Sequence, residues 1–230
     1  MKVGLLFGTF NPIHKGHINL AKSIESLFDQ IWFIVTPRNP FKKSEKIASK
    51  EDRLHMVNIA LHDFNKFYSS DLEFNLKSPN YTYQTLEYIT RIYSSKYDFS
   101  IILGLDNYTS LLKFQWKNSE YILNNFNFFI YKRGDSKKID LALKDIHHQM
   151  NKLDNHRLID APLMPISSSM IREFFSTSYH INNNNIDTFR NLKYTDFVEQ
   201  DKIHSIKNFL IKNLDYKVLE YIQKKKLYIN

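Results

Sequence analysis

Apolar positions along the chain follow two alternating patterns. Strand-like apolar runs lie at Val3–Phe7, Ile31–Val35, Phe99–Leu103 and Phe126–Tyr131, and the continuous Ile-Trp-Phe-Ile-Val of the second reads as a strand covered on both faces. Longer stretches with helical spacing lie between them. His17–Phe28 sets Ile18, Ala21, Ile24 and Leu27–Phe28 on one face. Ser49 with Asp52 three residues on marks a helix start, and Leu54, Val57, Ala60 and Leu61 give that helix its stripe. Helices are also predicted at Thr82–Tyr93, Tyr121–Asn124 and Ser169–Phe175, short strands at Leu72–Leu76 and Arg157–Ile159, and a loop from Pro37 to Lys46. Strands alternating with helices predict βαβ units: an α/β fold, a doubly wound parallel sheet with helices on both faces. Past Glu199, the lysine-rich runs Ile203–Leu210 and Tyr216–Leu227 predict a helical C-terminal extension. The block Asn182–Asn185 is low-complexity and reads as a surface loop, and no internal repeat is visible.

Composition narrows the class. With 230 residues, 43% hydrophobic and 24% charged, the chain can bury a sizeable core. It has no cysteine, which excludes disulfides, thiolate metal sites and a cysteine nucleophile. The apolar opening is broken too early by Gly8 to act as a signal peptide, and no run is long enough to span a membrane, so a cytoplasmic protein without a membrane partner is expected. The net charge of +8 suits an anionic ligand. The lysines are scattered among Asn, Ile and Tyr without forming a basic stripe, so nucleic acid is not the expected partner.

The chemistry concentrates directly after the first strand. Gly8-Thr-Phe-Asn-Pro-Ile-His-Lys-Gly-His17 lies beyond the carboxyl end of that strand, where open parallel sheets bind ligands. Gly8 and Gly16 would let backbone approach a ligand, and the following helix would aim free N–H groups and its positive end at the same place. His14 and His17 stand beside that helix start, suited to phosphate oxygens. The stretch reads as a phosphate site without a Walker lysine. A metal site is disfavoured, because no third ligand follows at a suggestive spacing. A second such stretch is Pro165-Ile-Ser-Ser-Ser-Met-Ile-Arg172: three serines before a helix offer hydroxyls and N–H groups to an anion, and Arg172 lies one turn in.

These two stretches resemble the G-T-F-D-P-x-H-x-G-H and I-S-S-[ST]-x-I-R signatures of the nucleotidyltransferase superfamily. Asn11 stands where that family usually has Asp, and Phe7 where its nicotinate-nucleotide members usually have glycine. Three further stretches are similar to the nicotinate-nucleotide adenylyltransferases: Ile34-Val-Thr-Pro-Arg-Asn-Pro-Phe-Lys-Lys43, Tyr81-Thr-Tyr-Gln-Thr-Leu86, and Ile102-Leu-Gly-Leu-Asp106 with Trp116 beyond. The resemblance spans 1–175 and resumes near 215–228, so the expected division is a Rossmann-like domain at 1–175, an insertion at 176–213, and a C-terminal helix at 214–230 packed on the domain.

The resemblance implies transfer of AMP from ATP to nicotinate mononucleotide, with Mg²⁺ arriving on ATP. His17, His14, Lys43 and Arg172 would be the catalytic set. ATP would meet Gly8, Thr9, Phe10, His14, Gly16, His17, Gly104, Asp106, Ile166, Ser168, Ser169 and Arg172. Nicotinate mononucleotide would meet Lys43, Thr82, Thr85, Trp116 and Arg133, with the Thr85 hydroxyl offered to its carboxylate and the Trp116 face to its ring. Asp106 reads equally as a ribose ligand or as a helix N-cap, Trp116 as a ring platform or as core, and Arg133 as a ligand for an acidic group or as a solvated strand end. The alternatives are a nicotinamide mononucleotide or phosphopantetheine adenylyltransferase and, from another class, a non-catalytic nucleic-acid-binding protein. Homo-oligomerisation is left open.

Overall fold

The computed structural model describes residues 1–37, 47–93, 95–132, 139, 143, 155–162, 165–182, 204–205 and 207–229. Six strands form one sheet: β1 Lys2–Gly8, β2 Gln30–Val35, β3 Phe67–Ser70, β4 Asp98–Gly104, β5 Asn127–Tyr131 and β6 His156–Ile159. Their order is β3-β2-β1-β4-β5-β6, and every neighbouring pair is parallel. The helices are α1 Lys15–Ile24, α2 Lys50–Leu61, α3 Thr82–Tyr93, α4 Leu105–Leu112, α5 Ser119–Asn125, α6 Ser168–Asn182 and α7 Tyr216–Lys224.

The alternation of side chains along each strand sorts the core into two halves. Leu6, Phe33, Val35 and Ile102 point to the face covered by α1, α2, α6 and α7, where Ala21, Met56, Val57, Ile171, Val218 and Ile222 are buried. Val3, Leu5, Ile34, Ile101, Phe128 and Ile130 point to the other face, covered by α3, α4 and α5 through Leu86, Ile89, Tyr108, Leu111 and Ile122. Ser49 caps α2 as its spacing predicted, its hydroxyl accepting from the Asp52 N–H at 3.0 Å. Among the described helices none is long and apolar enough to cross a membrane.

Two expectations are corrected. Leu72–Leu76 is no strand. A 3-10 turn occupies Leu72–Asn75, and the strand lies earlier, at Phe67–Ser70, where half-polar residues suffice for a sheet edge. The first helix starts at Lys15 rather than His17 and gives way to a 3-10 turn at Glu25–Leu27. The stretch expected as an insertion, 176–213, packs against the domain where it is described. Its first boundary falls inside α6, and residues 207–213 are helical and packed on the core. Leu210 is buried in the first core cluster, Phe209 stacks on Phe174 at 4.2 Å between ring centroids, and the Ile211 carbonyl accepts from Lys15 Nζ at 3.1 Å. Leu210→Ala is expected to cost about 2–3 kcal/mol, the lower part of the cavity-forming range, measured by urea unfolding. A loss below about 0.5 kcal/mol would show that this helix adds no core.

The sheet order places a switch point between β1 and β4. Connections leave these two central strands toward opposite edges and leave a crevice beyond Gly8 and Gly104.

Candidate active site

The turn after β1 is held from below. Phe10 takes φ 45° and folds its ring, 2% exposed, back over Gly8. A Cβ on Gly8 would lie 2.8 Å from that ring, so the bare position makes room for Phe10, and Gly8 also lines the cleft beyond the strand. Asn11 is buried, and its Oδ1 accepts from the Ala48 N–H at 3.1 Å and from the Tyr228 hydroxyl at 2.8 Å. An amide oxygen serves these two donors as a carboxylate would, which accounts for Asn at the usual Asp position. Burial raises the Tyr228 hydroxyl well above its ordinary value and keeps it a donor.

Arg53 of α2, only 1% exposed, fastens the same region. Its guanidinium donates to the carbonyls of Thr9 (2.6 Å), Thr36 (2.7 Å), Pro37 (2.6 Å) and Ala48 (3.0 Å). The exits of β1 and β2 and the start of α2 therefore converge on one cation. Burial lowers its pKa from a very high ordinary value, and four carbonyl dipoles take the place of a carboxylate.

The two histidines form a reciprocal cap. His14 is the N-cap of α1, and its Nδ1 accepts from the Gly16 N–H at 3.1 Å. His17 Nδ1 accepts from the His14 N–H at 3.2 Å. With both Nδ1 atoms accepting, each neutral ring carries its proton on Nε2, so both are Nε2–H donors at a helix N-terminus. The two rings lie 3.8 Å apart, tilted by 31°, and Phe10 meets His17 edge-on at 5.1 Å. A Cβ on Gly16 would lie 2.9 Å from the His14 ring and 3.1 Å from Ile166 Cγ2, so this position is bare because His14 and Ile166 close over it.

The serine-rich stretch docks on this turn. Ser167 caps α6 by accepting from the Met170 N–H at 3.2 Å. Ser168 donates to the Pro12 carbonyl at 2.8 Å, and Arg172 to the Asn11 carbonyl at 2.8 Å and to Ser169 Oγ at 3.2 Å. Motifs more than 150 residues apart thus become one cradle.

The cradle walls a cleft of about 280 Å³ that also takes in Thr9, Phe10, Ile166, Gly104, Asp106 and Lys132. Gly104, not Asp106, is the N-cap of α4, which settles one alternative, and Asp106 stands in the first turn. A Cβ on Gly104 would lie 2.5 Å from Asp106 Oδ1. A second cavity of about 110 Å³ shares Thr9, Thr82 and Trp116 with the first and adds Thr36, Glu73, Asn80, Tyr81 and Lys117. Trp116 is half-buried and borders both, so it is not plain core.

The Thr85 expectation is corrected. Thr85 is fully buried, lines neither cavity, and donates its hydroxyl to Glu73 Oε1 at 2.7 Å. Lys43 and Arg133 lie outside the described residues. Sequence reasoning missed Arg53, Glu73, Asn80, Asn107, Lys117, Lys132 and Tyr228. Lys132 adjoins the Arg133 that was singled out, and Asn107 adjoins Asp106, so both had a local signal. Arg53 and Glu73 had none, being polar residues in ordinary amphipathic surroundings.

Comparison with known proteins gives this cleft a context. The family described as cytidylyltransferase-like matches residues 5–174, from β1 into α6. A Flavobacterium psychrophilum protein named as a probable nicotinate-nucleotide adenylyltransferase is 44% identical over 178 residues, which are 75% of this chain and 86% of that protein. A Clostridium acetobutylicum protein of the same name is 35% identical over 174 residues, 75% of this chain and 86% of its own. In fold, the chain is similar to a Plasmodium falciparum nicotinic acid mononucleotide adenylyltransferase solved with NaAD, with a TM-score of 0.64 and 22% identity over 99% of this chain and 97% of the other. On these matches the chain belongs to the cytidylyltransferase-like family, among the nicotinate-nucleotide adenylyltransferases.

Proposed function

We propose that the chain transfers the adenylyl group of ATP to nicotinate mononucleotide, forming deamido-NAD and pyrophosphate in NAD biosynthesis. The observation that carries this reading is the pair of adjoining cavities with the histidine cap and serine cradle along the larger one. ATP occupies the larger cavity, with its triphosphate toward His14, His17, Ser169 and Arg172. The pyridine nucleotide occupies the smaller one, its ring on Trp116 and its carboxylate at the start of α3 near Thr82. Its phosphate then reaches the α-phosphorus across the shared wall at Thr9.

No covalent intermediate on the protein is needed. The phosphate oxygen of the mononucleotide forms the new P–O bond in line as the bond to the leaving pyrophosphate breaks. The protein supplies position and charge stabilisation. The Nε2–H of His17 donates to the α-phosphate, and that of His14 to the phosphates beyond. Ser168 ties the cradle together more than it binds ligand, because its hydroxyl is committed to Pro12. Among the described residues no group of three or more His, Cys, Asp or Glu is placed to hold a metal ion. Magnesium arriving on ATP would supply charge neutralisation on the triphosphate, held by phosphate oxygens and water.

The test is pyrophosphate release with ATP and each of nicotinate mononucleotide, nicotinamide mononucleotide and phosphopantetheine. The acid is expected to lead. With Thr85 committed elsewhere, its advantage rests on the positive end of α3. One lost charge-assisted contact, at ~1.5–3 kcal/mol, gives the acid on the order of 10- to 10²-fold in kcat/KM over the amide. Trp116→Ala should weaken both mononucleotides, spare ATP and leave their ratio nearly unchanged, because both rings meet the same face. Equal use of acid and amide would sink the nicotinate assignment, and a defect confined to ATP would remove Trp116 from the pyridine subsite.

A further inference from the structure

Glu73 stands in the 3-10 turn Leu72–Asn75, is 2% exposed, and keeps Oε2 without a hydrogen-bond partner among the described residues. A buried carboxylate ordinarily gathers a cation or enough donors for both oxygens. Oε1 accepts from Thr85 at 2.7 Å, and the Glu73 carbonyl accepts from Asn80 Nδ2 at 2.9 Å. Thr85 lies in the first turn of α3 and Asn80 just before it, so Glu73 fixes this helix start from behind. The residue also borders the smaller cavity beside Thr82 and Trp116. An anion-attracting helix end is thus backed by a group that is either neutral or negative.

We infer that neutral Glu73 lets the smaller cavity accept a pyridine ring bearing a carboxylate, and that its ionisation turns the cavity against the acid while sparing the amide. This rests on the assignment of that cavity to the pyridine nucleotide. Glu73 is a positioning residue: it acts through the start of α3 and through its charge, without touching the ring. Burial pushes its carboxyl up to about 7, opposed by the Thr85 hydrogen bond and by the Thr36 hydroxyl, which lies close by but outside hydrogen-bond geometry, so the change falls near neutral pH. The nearby charges come from several elements. Arg53 grips the Thr36 and Pro37 carbonyls, Lys117 has its Nζ 5.0 Å from the Tyr81 ring, Lys50 has its Nζ 4.9 Å from the Phe74 ring, and Asp71 precedes the turn. None of them bonds the Glu73 carboxylate.

The experiment measures kcat and KM for nicotinate and nicotinamide mononucleotides between pH 6 and 8.5. Both carry the same phosphate, so its titration cancels in their ratio, and the nicotinate carboxylate stays ionised throughout. As pH rises through 7, the KM ratio should move toward the amide by about tenfold while the kcat ratio holds steady. Glu73→Gln, which mimics the protonated side chain and still accepts from Thr85, should hold the low-pH ratio at every pH. Glu73→Asp should restore a slope with a displaced midpoint. A merely structural role would raise both KM values together and leave the slope of their ratio unchanged. A flat ratio in the unaltered protein, or a slope that survives Glu73→Gln, would overturn the inference. The unaltered protein decides even if the Gln variant does not fold. Use of neither mononucleotide would overturn the functional reading and this inference with it, whereas efficient transfer to the acid with a flat ratio would overturn this inference alone.

Discussion

Replacing His17 with alanine is expected to lower kcat by ~10²-fold or more while the KM of the mononucleotide stays near its original value. A donor aimed at charge that develops during transfer contributes mainly in the transition state, so its loss appears in kcat. The tautomer supports the role: Nδ1 is occupied by the His14 N–H, which leaves Nε2–H as the donating side of the ring. The same bond means that alanine also weakens the cap of α1, at a cost of about 1 kcal/mol. His17→Asn separates the two effects, because it restores a cap acceptor but lacks the reach of the imidazole. Steady-state pyrophosphate release should show both variants equally slow, with Asn the more stable to urea. Recovery of kcat by Asn, or an unchanged kcat in Ala, would take His17 out of the chemistry.

Arg53→Met should destabilise the protein by roughly 3–5 kcal/mol and raise the KM of both substrates. Methionine fills most of the volume, so the loss reports the guanidinium. Without it, the Thr9, Thr36, Pro37 and Ala48 carbonyls lose their donor, and each that stays dry costs ~1–3 kcal/mol. Thr9 and Thr36 border the cavities, so loosening them should be felt in binding. Arg53→Lys should not rescue, because one ammonium cannot reach four carbonyls spread over three segments. Denaturant unfolding with parallel KM measurements checks both parts. A loss under about 1 kcal/mol with unaltered KM values would show that the loops hold without the clamp.

The parts of the molecule legible in the sequence carry their signal locally. Apolar runs marked the central strands, and the helix expected at Thr82–Tyr93 has the observed bounds of α3. The turn after β1 and the start of α6 were visible because helix caps and tight turns need particular residues at fixed offsets. Arg53 was hidden because it works through the backbone of residues up to 44 positions away, which leaves no trace in neighbouring residue types. Thr85 misled because nearness to a helix start says nothing about which side of the helix a residue occupies; it faces Glu73. The half-polar Phe67–Ser70 was passed over for the more apolar run after it, because pairing at a sheet edge needs little hydrophobic content. The helical character of residues 207–210 was legible, but their packing on the core was not, because apolar spacing marks a face without saying what covers it.

The Arg53 clamp has an evolutionary reading. Every atom it holds is a main-chain carbonyl, so the clamp is indifferent to the side chains at Thr9, Thr36, Pro37 and Ala48. Residues at those positions can be exchanged without slackening the frame that presents them, provided the backbone path is kept. Substrate preference and scaffold integrity are thereby uncoupled at the rim of this cleft, and new specificities can be sampled there at little cost in foldedness.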